Sequence, residues 1–180
     1  MTFPVFASGD VLNASDMNAV GLWLVKTQTI GTAVSSITVS NAFSADYDNY
    51  KVIISGGVGS TGVQGMTLKI GAATTGYYYT VQQLTYAGVA TNSAQQNGSI
   101  FDGVGGGGST SSLCANIDII SPFLTENTFV MATRAVPDTA SVAGILVGYL
   151  NNTTSYTDFT IAPSTGTFTG GTIKVYGYRN

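Results

Sequence analysis

The densest glycine run, Gly103-Val-Gly-Gly-Gly-Gly108, matches the phosphate-cradling pattern G-x-G-x-x-G. That chemistry needs a strand before the run, a helix whose N-terminus faces a pyrophosphate, and an acidic residue about 20 positions on. Ser109-Thr-Ser-Ser112 follows instead, then a strand pattern around Ile117. The run therefore reads as a flexible or tight-turning glycine loop. Asp46, Asp48 and Asn49 bring oxygen donors together, but a calcium loop continues with further donors, a glycine at its sixth position and a bidentate Glu. An exposed turn is the better reading there. Paired carboxylates cleave glycosides when two of them flank the bond. The acids are Asp10, Asp16, Asp46, Asp48, Asp102, Asp118, Glu126, Asp138 and Asp158, and spacing singles out no pair. Tyr77-Tyr-Tyr79 is the most distinctive aromatic cluster. On a strand Tyr77 and Tyr79 point one way and Tyr78 the other, with Tyr86 on the Tyr78 side. Tyrosines in such a row either stack on sugar rings or fill a core edge or subunit interface, and the second use is the commoner one.

Other chemistries are excluded by what is missing. The chain has no His and one Cys, Cys114. Neither a Ser-His-Asp triad nor an imidazole or multi-thiolate metal site can be built, and no internal disulfide forms. Six Lys and Arg against a net charge of −3 argue against a nucleic-acid groove. No apolar run is long enough to cross a bilayer as a helix, and residues 1–10 lack the pattern of a signal peptide. No cofactor is expected.

The elements that must carry these residues are strands. Only 8% of the 180 residues are charged, hydrophobic residues make up 44%, and there are 23 Gly. A helical protein needs charged helix formers on its wet faces, whereas strands joined by Ser, Thr, Asn and Gly turns do not. Period-two alternation runs through Tyr50-Val52-Ile54, Met66-Leu68-Ile70, Ile117-Ile119 and Ile173-Val175. It predicts about ten strands, at 22–29, 34–40, 50–56, 65–71, 77–86, 113–121, 128–136, 142–150, 156–162 and 171–179. The fold class is all-β, an antiparallel β-sandwich of jelly-roll type spanning residues 22–180. Residues 91–112 read as a long low-complexity loop pinned by Ile100 and Phe101.

Residues 1–21 form a different unit. Pro4 keeps the first residues extended, and residues 11–20 predict a short helix with Leu12, Met17 and Val20 near one face. So short a helix needs a partner. With Phe3 and Phe6 these residues make an attachment and oligomerisation arm. Trp23 is expected to anchor it to the sandwich. Two stretches are apolar on both faces: Ile145, Val147 and Tyr149 oppose Leu146 and Leu150, and Tyr176 and Tyr178 oppose Val175. A strand apolar on both faces is covered on both. A subunit interface is the natural second cover.

Phe6-Ala-Ser-Gly-Asp-Val-Leu-Asn-Ala-Ser-Asp-Met-Asn18, Phe43-Ser-Ala-Asp-Tyr-Asp-Asn-Tyr50 and the ending Thr169-Gly-Gly-Thr-Ile-Lys-Val-Tyr-Gly-Tyr-Arg-Asn180 resemble segments of tailed-bacteriophage structural proteins. So does Thr154-Ser-Tyr-Thr-Asp-Phe-Thr160. The resemblance implies a virion component of the tail-fibre, tail-tip or head-appendage kind, a β-sandwich, and a homotrimer. It transfers no catalytic motif. The expectation is a non-enzymatic appendage or capsid-decoration subunit acting in assembly and host attachment. Its partners are copies of itself, other virion proteins through the arm, and a host surface glycan at Tyr77, Tyr78, Tyr79 and Tyr86. The alternatives are a carbohydrate-binding module and a polysaccharide depolymerase with an acidic pair.

Overall fold

The computed structural model describes residues 21–136 and 142–178. The arm residues Phe3, Phe6, Leu12, Met17 and Val20 lie outside them, as does Asp138. The described residues form thirteen strands and no helix, and every strand pair is antiparallel. The strands are β1 Leu22–Thr29, β2 Ile37–Val39, β3 Asn49–Gly59, β4 Gln64–Ile70, β5 Tyr77–Thr85, β6 Ser93–Gly98 and β7 Phe101–Gly107. The remainder are β8 Ser112–Ile120, β9 Thr128–Val136, β10 Val142–Leu150, β11 Phe159–Pro163, β12 Phe168–Thr169 and β13 Thr172–Tyr178.

The sheet branches at β8. One run reads β1-β13-β3-β8-β9-β10-β5-β6, and a second leaves β8 through the pair Gly106 and Cys114 and reads β7-β4-β11-β2. The core lies on one side of the first run. Tyr50, Val52 and Ile54 of β3, Ile117 and Ile119 of β8, Leu146 and Leu150 of β10, and Ile173 and Val175 of β13 are all buried. Opposite them the second run contributes Met66, Leu68, Ile70, Phe101, Phe159 and Ile161. Aromatic contacts join the two runs: Tyr77 meets Phe101 edge-on at 4.9 Å, and Phe43 sits 4.8 Å from Tyr50 and 5.6 Å from Phe159. The hydroxyls of the buried Tyr50 and Tyr77 are satisfied by backbone. Tyr50 Oη accepts from the Ser44 amide at 2.8 Å and donates to the Ser44 carbonyl at 3.0 Å. Tyr77 Oη accepts from the Ile70 amide at 3.0 Å, and burial pushes the Tyr77 phenol up to about 12.

Residues 91–112 are not a loop. They hold β6, β7 and the start of β8. The glycine run is the buried strand β7, and its glycines are there because neighbours occupy the space a side chain would need. A Cβ on Gly105 would lie 2.5 Å from Cβ of Ala115, one on Gly106 2.6 Å from Cγ2 of Val136, and one on Gly107 2.8 Å from Cδ2 of Leu113. Close backbone approach of this kind is what glycine within a strand marks. Phe101, expected to pin this stretch, is fully buried. The strand expected at 34–40 shortens to β2, with Val34 making only a lone bridge to Phe168. A second close approach lies where β3 bulges: Gly57 has φ +71°, and a Cβ there would sit 2.0 Å from the Gly170 carbonyl oxygen.

Candidate functional site: the outer face of the large sheet

Alternation gives the first run a second face, and the register places its side chains in cross-strand rows. Leu22 faces Tyr178 at one edge, and across the following strands Asn49, Ile120, Phe129, Tyr149 and Tyr78 make one row. The next is Leu24, Tyr176, Lys51, Asp118, Met131, Val147 and Thr80. A third carries Thr133, Ile145 and Gln82. Four large apolar side chains on the adjacent strands β9 and β10 are half-exposed: Phe129 at 48%, Met131 at 44%, Ile145 at 44% and Val147 at 47%. Leu22, Leu24 and Leu84 extend the exposed apolar surface towards the two edges. Scattered single hydrophobics are ordinary on a protein surface; a contiguous patch marks an interaction site.

The five residues expected at an interface fall on this one face, in two separate groups. Ile145, Val147 and Tyr149 stand on β10, and Tyr176 and Tyr178 on β13, four strand positions away in the same sheet. Ile173 and Val175 take the core side of β13 as the alternation requires, and Lys174 is exposed with the tyrosines. Sequence reading missed Phe129 and Met131. The signal was present, because β9 reads Thr-Phe-Val-Met-Ala-Thr, apolar on both faces like β10.

The charged groups at the centre of the face cancel. Lys51 Nζ lies 3.1 Å from Oδ1 and 3.3 Å from Oδ2 of Asp118. Tyr178 Oη donates to Oδ1 at 2.5 Å. Burial, and then the hydrogen bond to this carboxylate, push the Tyr178 phenol up to about 12. Asp118 is thus engaged on both sides rather than paired with a second acid. Among the described residues no group of three or more His, Cys, Asp or Glu is placed to hold a metal.

The tyrosines proposed for glycan contact are split. Tyr77 is fully buried, with its ring against Phe101, so it makes no surface contact. Tyr79 is partly buried and also packs on Phe101, at 5.8 Å. Tyr86 is exposed, but it lies past the end of β5, beside the Thr85 to Val89 turn. Tyr78 alone stands on the outer face, stacked on Tyr149 with centroids 5.3 Å apart and planes 9° apart. Phe129 continues this aromatic row, 6.0 Å from Tyr149. Trp23 is partly buried on β1 opposite Gly177, and whether it touches the arm lies outside the described residues.

No family model matches this chain, and no curated protein matches it. Solved structures that align with it include those of infectious bursal disease virus. The Gt-strain structure is 9% identical with a TM-score of 0.16, over 84% of this chain and 40% of that one. The D431N mutant VP2 protein from T=1 particles is 13% identical with a TM-score of 0.15, over 86% and 40%. This chain thus spans about 40% of the length of those chains. At such TM-scores the likeness carries no argument about this chain. The resemblance to tailed-phage proteins does not hold: no family model and no curated protein carries it.

Proposed function

We propose that the chain is a non-enzymatic structural subunit that works by associating with further copies of itself, and that the outer face of β9 and β10 is its association surface. The domain is then a β-sandwich whose two layers share β8, with one layer's outer side given over to contact. A virus particle is the setting we favour for a subunit so poor in charge, since repeated neighbours cover such a surface. The observation that carries this reading is the run of Phe129, Met131, Ile145 and Val147, half-exposed side by side. The ion pair at the centre of the face supports it, because a neutral patch lets identical copies meet despite the chain's net charge of −3. The number three rested on the phage resemblance alone, so the stoichiometry is for measurement to give.

Completing the burial of these four side chains contributes about 1 kcal/mol apiece, enough together to change an association constant about a thousandfold. Met131→Asp combined with Val147→Asp should therefore turn an oligomer into a monomer at micromolar concentration. The fold should survive, because both side chains point outward. Light scattering and circular dichroism check the two halves. A wild-type chain that stays monomeric, or a double variant that stays associated, would refute the proposal.

A further inference from the structure

On the same face the apolar ridge also forms one wall of a pair of grooves, with Phe129 and Val147 lining the first and Ile145 the second. The grooves lie in line across β5 and β6. One, of about 420 Å³, is walled by Tyr78, Tyr149 and Phe129 and bordered by Thr80, Gln95 and Gln96. The other, of about 550 Å³, lies further along β5 beside Gln82, Leu84, Asn92 and Ile145. Together the two grooves follow β5 from Tyr78 to Leu84, six residues of strand or about 20 Å at a strand's rise, and we treat them as one trough.

Its chemistry is uniform. No residue lining either groove is charged. The polar groups are carboxamides, the Thr80 hydroxyl and the phenol hydroxyls of Tyr78, Tyr79 and Tyr149, each able to donate and accept. Thr80, Gln82 and Gln96 are exposed along the grooves, and among the described residues their side chains make no hydrogen bond to the protein. Gln95 is partly engaged, donating through Nε2 to the Gln96 carbonyl at 3.2 Å. The aromatic wall is preorganised, because stacking on Tyr149 holds the Tyr78 ring in place.

We propose that this trough binds a neutral oligosaccharide, with the C–H face of a pyranose against the Tyr78–Tyr149 wall and its hydroxyls hydrogen-bonded by Thr80, Gln82 and Gln96. Carboxamides match hydroxyl groups in both directions, and an aromatic wall matches the apolar face of a sugar ring. With no cation the trough lacks a partner for sulfate, phosphate or sialate, and with no anion it lacks one for a basic peptide. A length of about 20 Å at a strand's rise accommodates roughly four sugar units.

The test is titration calorimetry of the full chain with neutral tetrasaccharides (maltotetraose, cellotetraose, mannotetraose and chitotetraose), with heparin tetrasaccharide and sialyllactose as charged controls. At least one neutral sugar should bind, and the charged controls should not. Tyr78→Ala should weaken binding about tenfold by removing the ring contact. Gln96→Ala, at an exposed position that leaves packing intact, should weaken it severalfold. Phe129, Ile145 and Val147 also belong to the association surface, so sugar and a second copy compete: a saturating neutral sugar should shift the oligomer towards monomer in light scattering, while Gln96→Ala, away from β9 and β10, should leave the unliganded oligomer unchanged. The site is refuted if all four neutral sugars fail at millimolar concentration, if the charged controls bind as well as the neutral ones, or if binding survives both substitutions.

Discussion

Val175→Asp should unfold the domain, whereas Tyr176→Ala combined with Tyr178→Ala should leave it folded. Val175 is fully buried on β13, paired with Lys26 on one side and Val52 on the other, and its side chain enters the core beside Ile173. A carboxylate there has neither a partner nor water. Leaving a buried polar group unpaired costs several kcal/mol, roughly half of a typical domain's stability or more. The neighbouring tyrosines are one pleat away and stand on the wet face. Their removal exposes no core, although it deprives Asp118 of the hydroxyl that Tyr178 donates. Thermal melts followed by circular dichroism should show a lost or strongly lowered transition for the Val175 variant and a near-normal one for the double tyrosine variant. Equal melts would mean that β13 does not present these two faces.

The second large effect belongs to the glycine strand. Gly106→Val should destabilise the domain by about 3 kcal/mol or more, since overpacking a close-packed site typically costs 1–3 kcal/mol and here backbone stands in the way. The added Cβ would meet Cγ2 of Val136 at 2.6 Å and the Gln64 carbonyl oxygen at 2.9 Å. The valine side chain is also tolerated well in free strands, so the loss comes from space and not from propensity. Urea titration gives the number. If the change leaves the midpoint unmoved, the stretch behaves as the loop that its composition predicts.

That contrast shows what the sequence withholds. Alternating side chains announce a strand, so β3, β8 and β13 were legible from Tyr50-Val52-Ile54, Ile117-Ile119 and Ile173-Val175. β7 has glycine where alternation would be read, and the reason lies in β4, β8 and β9, distant in sequence. β6 is Ser-Ala-Gln-Gln-Asn-Gly, polar at nearly every position, and its strand state comes from pairing with β5. The interface candidates on β10 and β13 were legible because a strand apolar on both faces needs two covers. Their neighbours Phe129 and Met131 were not, since only register shows that they stand beside Tyr149 and Val147. Tyr77 was misplaced for the opposite reason. Three successive tyrosines do not say which face turns inward, and the fit of Tyr77 against Phe101 decides it.

Oxidative footprinting of the methionines tests the association surface most directly. Met131 is half-exposed in the single chain, and Met66 is fully buried in the core. The full chain is pulsed with hydroxyl radicals at nanomolar concentration, where it is dissociated, and at high micromolar concentration, where it is assembled. Mass spectrometry of the peptides then reads sulfoxide at each site. The account predicts that Met131 oxidises readily when dilute and is protected severalfold when concentrated, while Met66 stays protected throughout. Equal oxidation of Met131 at both concentrations, in a chain that light scattering shows to be assembled, would place the contact elsewhere and contradict the account.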